Sequence, residues 1–165
     1  MHDIPAGAPA TMNEAFKHIA GLDDPSVEDL KVMVLLEAAG LKLYQNLAAG
    51  ADREDVVALL LHNGREELAH AHRVAKAIGK LTGADYPVPA PEENPYLAGP
   101  QPAPKPVTVE LLRSLAQGEY GGETLYERWA SHCPNVEAAA LFRLNGREET
   151  QHGARLEQAA DLLSA

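Results

Sequence analysis

Apolar residues recur with helical spacing along four long stretches of the chain. In the first stretch, from about Ser26 to Ala49, the side chains of Leu30, Val34 and Leu41 fall on one face of a helix. Aromatic residues make up only 5%, and the apolar content is mostly Ala, Leu and Val, which suits packed helices better than a sheet-rich core. The pattern predicts four long helices, over about 26–49, 52–81, 108–131 and 135–163.

Capping residues mark where these helices begin. Ser, Asp and Asn side chains accept hydrogen bonds from the first free N–H groups of a helix. The predicted N-caps of the first, second and fourth long helices are Ser26, Asp52 and Asn135. Thr11 and Glu14 have the spacing of a capping box, so residues 1–25 are predicted to be a tail with one short helix.

A proline-rich stretch separates the second and third long helices. Residues 82–107 hold eight of the chain's twelve prolines, so this stretch cannot be a helix and tends to be extended. One interpretation is a linker between two domains, but a single helical hairpin on either side cannot bury its apolar face alone. A crossover along one bundle has to span roughly 36 Å, which an extended stretch of this length covers easily. We therefore predict one all-α domain over 26–165, a four-helix bundle with a single long crossover.

Charge and cysteine content narrow the function classes. The formal net charge is −10, which disfavours binding to nucleic acid or to an anionic membrane surface. No apolar stretch has the length of a membrane span, and Cys133 is the only cysteine, so no disulfide can form within the chain. We expect a cytoplasmic protein that binds neither nucleic acid nor membranes.

An internal repeat carries the candidate chemistry. Residues 63–73 and 145–155 are identical at seven of eleven positions, at an offset of 82. The same offset relates three further pairs, which are Glu37 and Glu119, Gly40 and Gly122, and Tyr44 and Tyr126. The chain is therefore a duplicated helical hairpin, and duplicated hairpins naturally pack about a pseudo-two-fold axis.

The spacing within the repeat predicts a two-metal site. Each half contains Glu-x-x-His, whose side chains share one helix face, and the rise per residue puts a helix glutamate of each hairpin in the same layer. Four carboxylates balance the charge of two divalent metals, and each imidazole adds one nitrogen ligand. The predicted ligands are Glu37, Glu67, His70, Glu119, Glu149 and His152. A single Glu-x-x-His is common on solvated helices, and a decayed duplication without metal is the alternative for the pair.

These residues resemble those of the ferritin-like di-iron carboxylate proteins, especially the rubrerythrins and bacterioferritins. The resemblance covers about 26–163 and implies a ferritin-like bundle that binds two iron ions, with manganese as the alternative. It also implies that Glu37 and Glu119 are terminal ligands, one per metal, and that each histidine binds one metal. By the same resemblance Glu67 and Glu149 would bridge the two metals.

Further side chains are candidates for a supporting layer. The resemblance pairs Glu66 with His152 and Glu148 with His70; the alternative is a pair of surface glutamates bound to nearby arginines. It also lets two phenols, those of Tyr44 and Tyr126, hydrogen-bond a bridging carboxylate across the core.

Glu123 lies four residues after Glu119 and is a candidate extra ligand. Its counterpart in the repeat is Leu41, and its spacing is not that of the additional helix-three carboxylate of rubrerythrins. A surface or partly buried glutamate is the alternative interpretation.

The resemblance implies an oxidoreductase that oxidises ferrous iron and reduces peroxide or dioxygen. Because one cysteine cannot build the cysteine-bound iron domain of rubrerythrins, we expect a separate electron donor. The alternatives are a ferroxidase that stores iron, a manganese catalase, and a bundle without enzymatic activity that binds a partner. A homo-oligomer is expected, and a dimer is favoured over a large storage cage.

Overall fold

The computed structural model describes residues 2–165. Its secondary structure in that range is helical, with no β-strand. The α-helices are α1 (Met12–Ala20), α2 (Val27–Ala49), α3 (Glu54–Thr82), α4 (Val109–His132) and α5 (Val136–Ser164). Two short 3-10 helices, Pro91–Glu93 and Pro95–Leu97, interrupt the proline-rich stretch. None of the helices formed by residues 2–165 combines the length and the hydropathy that crossing a bilayer requires.

Two of the predicted N-caps are confirmed. The Ser26 hydroxyl accepts from the N–H of Asp29 at 3.2 Å, and the Asp29 carboxylate accepts from the N–H of Ser26 at 2.9 Å. This reciprocal capping box fixes the first turn of α2. The Asn135 amide oxygen accepts from two N–H groups at the start of α5, each at 3.0 Å.

The predicted cap at Asp52 is wrong. Helix α3 begins one residue later, with Arg53 in the N-cap position and no side-chain cap hydrogen bond. The guanidinium of Arg53 instead binds the carboxylate of Asp55, at 2.8 and 3.1 Å. An acidic side chain in the first turn still favours this helix end through the helix dipole.

The four long helices form the predicted bundle with one long crossover. Helix α2 packs along α3, α4 packs along α5, and α3 also packs against α5. The N–H of Val107 donates to the carbonyl of Gly50 at 3.1 Å, so α4 starts beside the end of α2. The Asn135 amide donates to the carbonyl of Lys80 at 3.1 Å, so α3 ends beside the start of α5. The crossover therefore runs the whole length of the bundle.

Helix α1 and the crossover cover the outer side of α2. Ala15 and Ile19 of α1 are buried in the same apolar cluster as the start of α2. From the crossover, the buried Asn94 amide donates to the carbonyl of Leu35 at 2.8 Å. The division of the chain into a tail, 1–25, and a bundle stays a prediction.

Glycines inside the helices allow the two members of each hairpin to approach closely. A Cβ on Gly64 would lie 2.9 Å from the Cβ of Tyr44, and one on Gly146 would lie 3.2 Å from the Cβ of Tyr126. A side chain at Gly64 would force its neighbours to shift, and one at Gly146 would be unusually tight. The helix-weakening glycines of the repeat are thus explained by tight α2–α3 and α4–α5 packing.

Replacing Gly64 with Ala is expected to lower the free energy of unfolding by about 1–3 kcal/mol, because the new methyl group overpacks against Tyr44. Gly118→Ala is the matched control, since in the described chain no heavy atom lies within 4 Å of its Cβ position. There the higher helix propensity of Ala should raise stability by about 1 kcal/mol. Urea unfolding followed by circular dichroism measures both, and equal effects of the same sign would contradict the packing explanation.

Candidate metal centre

The six predicted ligands converge in one layer at the centre of the bundle. Both imidazoles are fully buried, and the side chains of Glu37, Glu67 and Glu149 are each at most 9% exposed. Donor atoms of one tight group lie within 4.8 Å of one another, namely those of Glu67, His70, Glu149 and His152. Their role as metal ligands stays a prediction.

The first imidazole faces three carboxylates. The Nδ1 atom of His70 lies 3.1 Å from Glu149 Oε1, 3.6 Å from Glu37 Oε2 and 4.0 Å from Glu67 Oε2. Two of these carboxylates come from the first hairpin and one from the second. The group around His70 therefore depends on both halves of the chain.

The second imidazole repeats this arrangement. The Nδ1 atom of His152 lies 3.3 Å from Glu67 Oε1, 3.3 Å from Glu149 Oε2 and 3.8 Å from Glu119 Oε2. The imidazole of His70 stacks on that of His152, with ring centroids 5.0 Å apart. Two carboxylates, those of Glu67 and Glu149, are thus shared between the imidazoles and two are not; their division into bridging and terminal ligands stays a prediction.

The outer nitrogen of each imidazole fixes its tautomer. His70 Nε2 lies 3.1 Å from Glu148 Oε2, and His152 Nε2 lies 3.1 Å from Glu66 Oε2. A carboxylate only accepts, so each Nε2 carries the proton and donates. Both Nδ1 atoms are buried without a hydrogen-bond partner among residues 2–165. Each Nδ1 lies among the carboxylates, where a metal cation can displace its proton, so the residues fit a metal pair.

Arginines hold the two outer carboxylates. Arg73 donates to both oxygens of Glu148, at 2.6 and 3.1 Å, and Arg155 donates to Glu66 at 2.9 Å. The hydrogen bond from His70, together with Arg73, outweighs burial and lowers the pKa of Glu148 to about 2. The two interpretations of these glutamates, histidine support and arginine pairing, are therefore both present at once.

The tyrosines bind different carboxylates from those expected. Tyr44 donates to Glu119, and Tyr126 donates to Glu37, so each phenol binds the unshared glutamate of the other hairpin and not one of the two carboxylates shared between the imidazoles. The reason is that α2 and α4 are antiparallel, which brings a tyrosine two turns after one glutamate level with the other. Burial and the nearby carboxylates raise the pKa of both phenols, so each keeps its proton and donates.

Glu123 does not join the cluster. Its side chain is exposed, and its carboxylate accepts from the hydroxyl of Thr150 at 2.7 Å. The candidate extra ligand is therefore a surface residue of α4 in this structure. From its position on α4, the side chain of Glu123 points along the bundle surface toward α5.

Two buried asparagines belong to the site and were missed from the sequence. Asn63 donates to the carbonyl of His152 at 3.2 Å and to the hydroxyl of Tyr44 at 3.3 Å. Asn145 donates to the carbonyl of His70 at 3.3 Å. The sequence contained a signal for these asparagines: each is the first residue of its repeat copy and lies at the same distance from Glu-x-x-His. Residues that keep the same spacing in both copies are expected to share a contact.

The repeated glycines of α2 and α4 make room for the shared carboxylates. A Cβ on Gly40 would lie 2.8 Å from Glu67 Cγ, and one on Gly122 would lie 3.0 Å from Glu149 Cγ. Glycine is therefore required for Glu67 and Glu149 to lie flat against the neighbouring helix.

The cluster strongly favours positive charge. Burial and the charge of Glu149 raise the pKa of Glu119 to about 7, and the same causes raise the pKa of Glu67 well above its usual value. Burial lowers the pKa of His152, but the surrounding carboxylates outweigh it and raise that pKa to about 12. The charge that the carboxylates attract is supplied by protons on the imidazoles or by metal cations.

The fold and the site together define a class, the ferritin-like helical bundles with a buried carboxylate–histidine cluster suited to two metals. The model of the family described as Rubrerythrin matches residues 28–160, and the chain belongs to that family. No curated protein and no solved structure matches the chain significantly.

Glu67→Ala and Glu149→Ala are each expected to abolish occupancy of both metal positions, because each variant removes a carboxylate shared by the two imidazoles. Equilibrium dialysis against cobalt(II), followed by metal analysis, gives the number of ions per chain. Glu127→Ala serves as the control, since Glu127 is exposed and pairs with Arg143. Two tightly bound ions in either cluster variant would refute the ligand assignment.

Glu148→Ala is expected to weaken metal binding by about 10–100-fold, since it removes the partner that orients His70. Glu148→Gln keeps an acceptor for the Nε2 proton and should retain most of the affinity. Competition with a coloured chelator measures both. The same loss in the two variants would show that the charge of Glu148, and not its hydrogen bond, supports the site.

Proposed function

We propose that this protein is a di-iron oxidoreductase of the rubrerythrin type, which oxidises ferrous iron and reduces peroxide or dioxygen. One observation carries the proposal: two unpartnered imidazole nitrogens lie in a pseudo-symmetric group of four carboxylates, of which three are buried and Glu119 is partly exposed. Hard oxygen ligands with one imidazole per metal suit iron or manganese better than zinc or copper. Membership of the rubrerythrin family supports iron.

In this proposal the residues divide the work of holding two ions. Glu37 and His70 would hold one ion, Glu119 and His152 would hold the other, and two shared carboxylates would contact both, namely Glu67 and Glu149. Two ferrous ions, when bound, would supply the two electrons that reduce one molecule of peroxide. The carboxylates keep the site close to neutral, and burial keeps bulk water away from it.

The surrounding hydrogen bonds would keep the ligands in place during turnover. Tyr44 and Tyr126 restrain the terminal glutamates from the opposite hairpin. Glu66 and Glu148 keep the Nε2 protons on the imidazoles, which leaves both Nδ1 lone pairs available to metal. Restraint of this kind preserves ligand geometry as the charge of the site changes.

The proposed electron source is a separate donor. Cys133 is the single cysteine of the chain, and one thiolate cannot form the cysteine-bound iron centre that would return electrons internally. Another protein or a small reductant would therefore reduce the site after each turnover. The reducing cytoplasm is the proposed location, in keeping with a free thiol.

A homodimer is the proposed assembly. Three exposed apolar side chains border one outer pocket of the bundle, those of Met12, Phe16 and Leu43. Exposed apolar groups of this kind favour self-association. Native mass measurement tests the assembly, and a shell of several hundred kilodaltons would instead support iron storage.

Anaerobic titration with ferrous iron tests the proposed activity. We expect two ions per chain, followed by rapid oxidation when peroxide is added and slower oxidation by dioxygen, which optical spectroscopy of the ferric product records. His70→Ala is the matched variant with one imidazole removed, and it should bind at most one ion tightly.

Other outcomes of this titration would contradict the proposal. Oxidation by dioxygen alone, with a growing ferric mineral, would favour the storage ferroxidase. Vigorous oxygen evolution from peroxide by the manganese-loaded protein, and not by the iron-loaded one, would favour a manganese catalase. A folded chain that binds neither metal would favour a partner-binding bundle.

A further inference from the structure

The two halves of the bundle differ in what lies outside the metal centre. On the α2 side there is a small pocket of about 170 Å³. Its lining residues include Phe16 of α1, Leu97 of the crossover, and Leu36 and Ala39 of α2. Leu36 and Ala39 are themselves only 2% and 3% exposed. The α2 residues on either side of Glu37 therefore carry side chains that are almost fully buried.

The corresponding surface of α4 is bare. The repeat offset carries Leu36 onto Gly118 and Ala39 onto Gly121, and both glycines are exposed. In the described chain, apart from the neighbouring residues and the backbone of α4 itself, no heavy atom lies within 4 Å of the position that a Cβ would take on either glycine. Both halves of the repeat thus have the predicted ligand glutamate. Only the first half has buried side chains at the positions beside it.

This difference reaches the cluster itself. The Glu119 side chain is 17% exposed, compared with 4% for its counterpart Glu37 and none for either imidazole. Glu119 Oε2 lies 3.8 Å from the unpartnered, fully buried Nδ1 of His152. Glu119 therefore links solvent to the buried imidazole of His152.

The charge beside this opening suits a cation. Glu123 stands one helical turn after Glu119 on the same helix and is exposed, so two carboxylates flank the bare surface. An acidic rim raises the local concentration of divalent cations and repels anions. Among residues 2–165, no lysine or arginine forms an ion pair with either carboxylate, and the charged partner near Glu119 is the imidazole of His152, whose Nδ1 lies 3.8 Å from Oε2.

We infer that the bare surface of α4 at Gly118 and Gly121 is the entrance through which divalent metal ions reach the centre, with Glu119 as the first carboxylate they meet. The inference rests on the proposed function, because it requires that the cluster binds metal. It assigns different tasks to the two pseudo-symmetric halves: the α4 side admits the ions, and the α2 side stays closed.

The test copies residues from the first half of the repeat into the second. The double variant Gly118→Leu and Gly121→Ala gives α4 the side chains that α2 carries at the matching positions. Both substitutions raise helix propensity and meet open space, so the variant is expected to fold. Stopped-flow absorption of cobalt(II) records the rate of loading, and equilibrium dialysis records the final number of ions.

We expect cobalt loading to slow by about tenfold in the double variant, because entry then requires the helix surface to open first. The final number of ions per chain should stay at the wild-type value. Ser131→Leu is the control: it adds the same side chain to an exposed position of α4, three turns away, where Ser131 bonds only within its own helix. This control should load at the wild-type rate.

The outcomes separate this inference from the proposed function. If the double variant binds two ions at the wild-type rate, the inferred entrance is wrong and the proposed function is unaffected. A lower number of ions in the double variant would show that the glycines form the site and do not admit ions to it, which also overturns the inference. A wild-type chain that binds no cobalt would overturn the proposed function, and the entrance with it.

Discussion

The structure depends on holding four carboxylates, three buried and one partly exposed, in the middle of a small helical bundle. Moving an ionised carboxylate out of water costs several kcal/mol even after relaxation, and four together also repel one another. The fold meets this cost with imidazoles inside the cluster and with phenol donors around it. The glycines, asparagines and arginines of the repeat have their positions because these buried groups need space, donors and counter-charge.

Almost every compensating contact joins one hairpin to the other. The phenol of α2 donates to the carboxylate of α4, and the phenol of α4 donates to the carboxylate of α2. The same exchange holds for the outer glutamates, which accept from the opposite histidines. Neither hairpin therefore has a satisfied set of polar groups by itself, which explains why the two copies kept the same residues at the same spacing.

Much of this could be predicted from the sequence, because the relevant information lies within single helices and in the repeat. The helical spacing placed Glu67 with His70 and Glu149 with His152, and the proline-rich stretch required a crossover. The partners of the tyrosines could not be predicted in the same way. They depend on how far α2 and α4 slide past each other, which is set by packing between hairpins and not by spacing within one.

Local competition explains the remaining errors. At the start of α3, the side chain of Arg53 has a carboxylate partner nearby, and the helix begins one residue later than the Asp52 pattern predicts. On α4, Glu123 has the right distance along the helix to approach the cluster, but a hydroxyl on α5 holds it at the surface. Spacing limits which side chains can reach a site, whereas neighbouring groups decide which ones do.

The reciprocal exchange between hairpins has a consequence for assembly. In an isologous dimer every contact occurs twice, once in each direction, and the centre of this bundle follows the same rule. Two separate hairpins would have to find each other at the concentration of the free chains. The crossover joins them, so that the second hairpin is always present at a high effective concentration. The site therefore forms to the same extent in dilute and in concentrated protein.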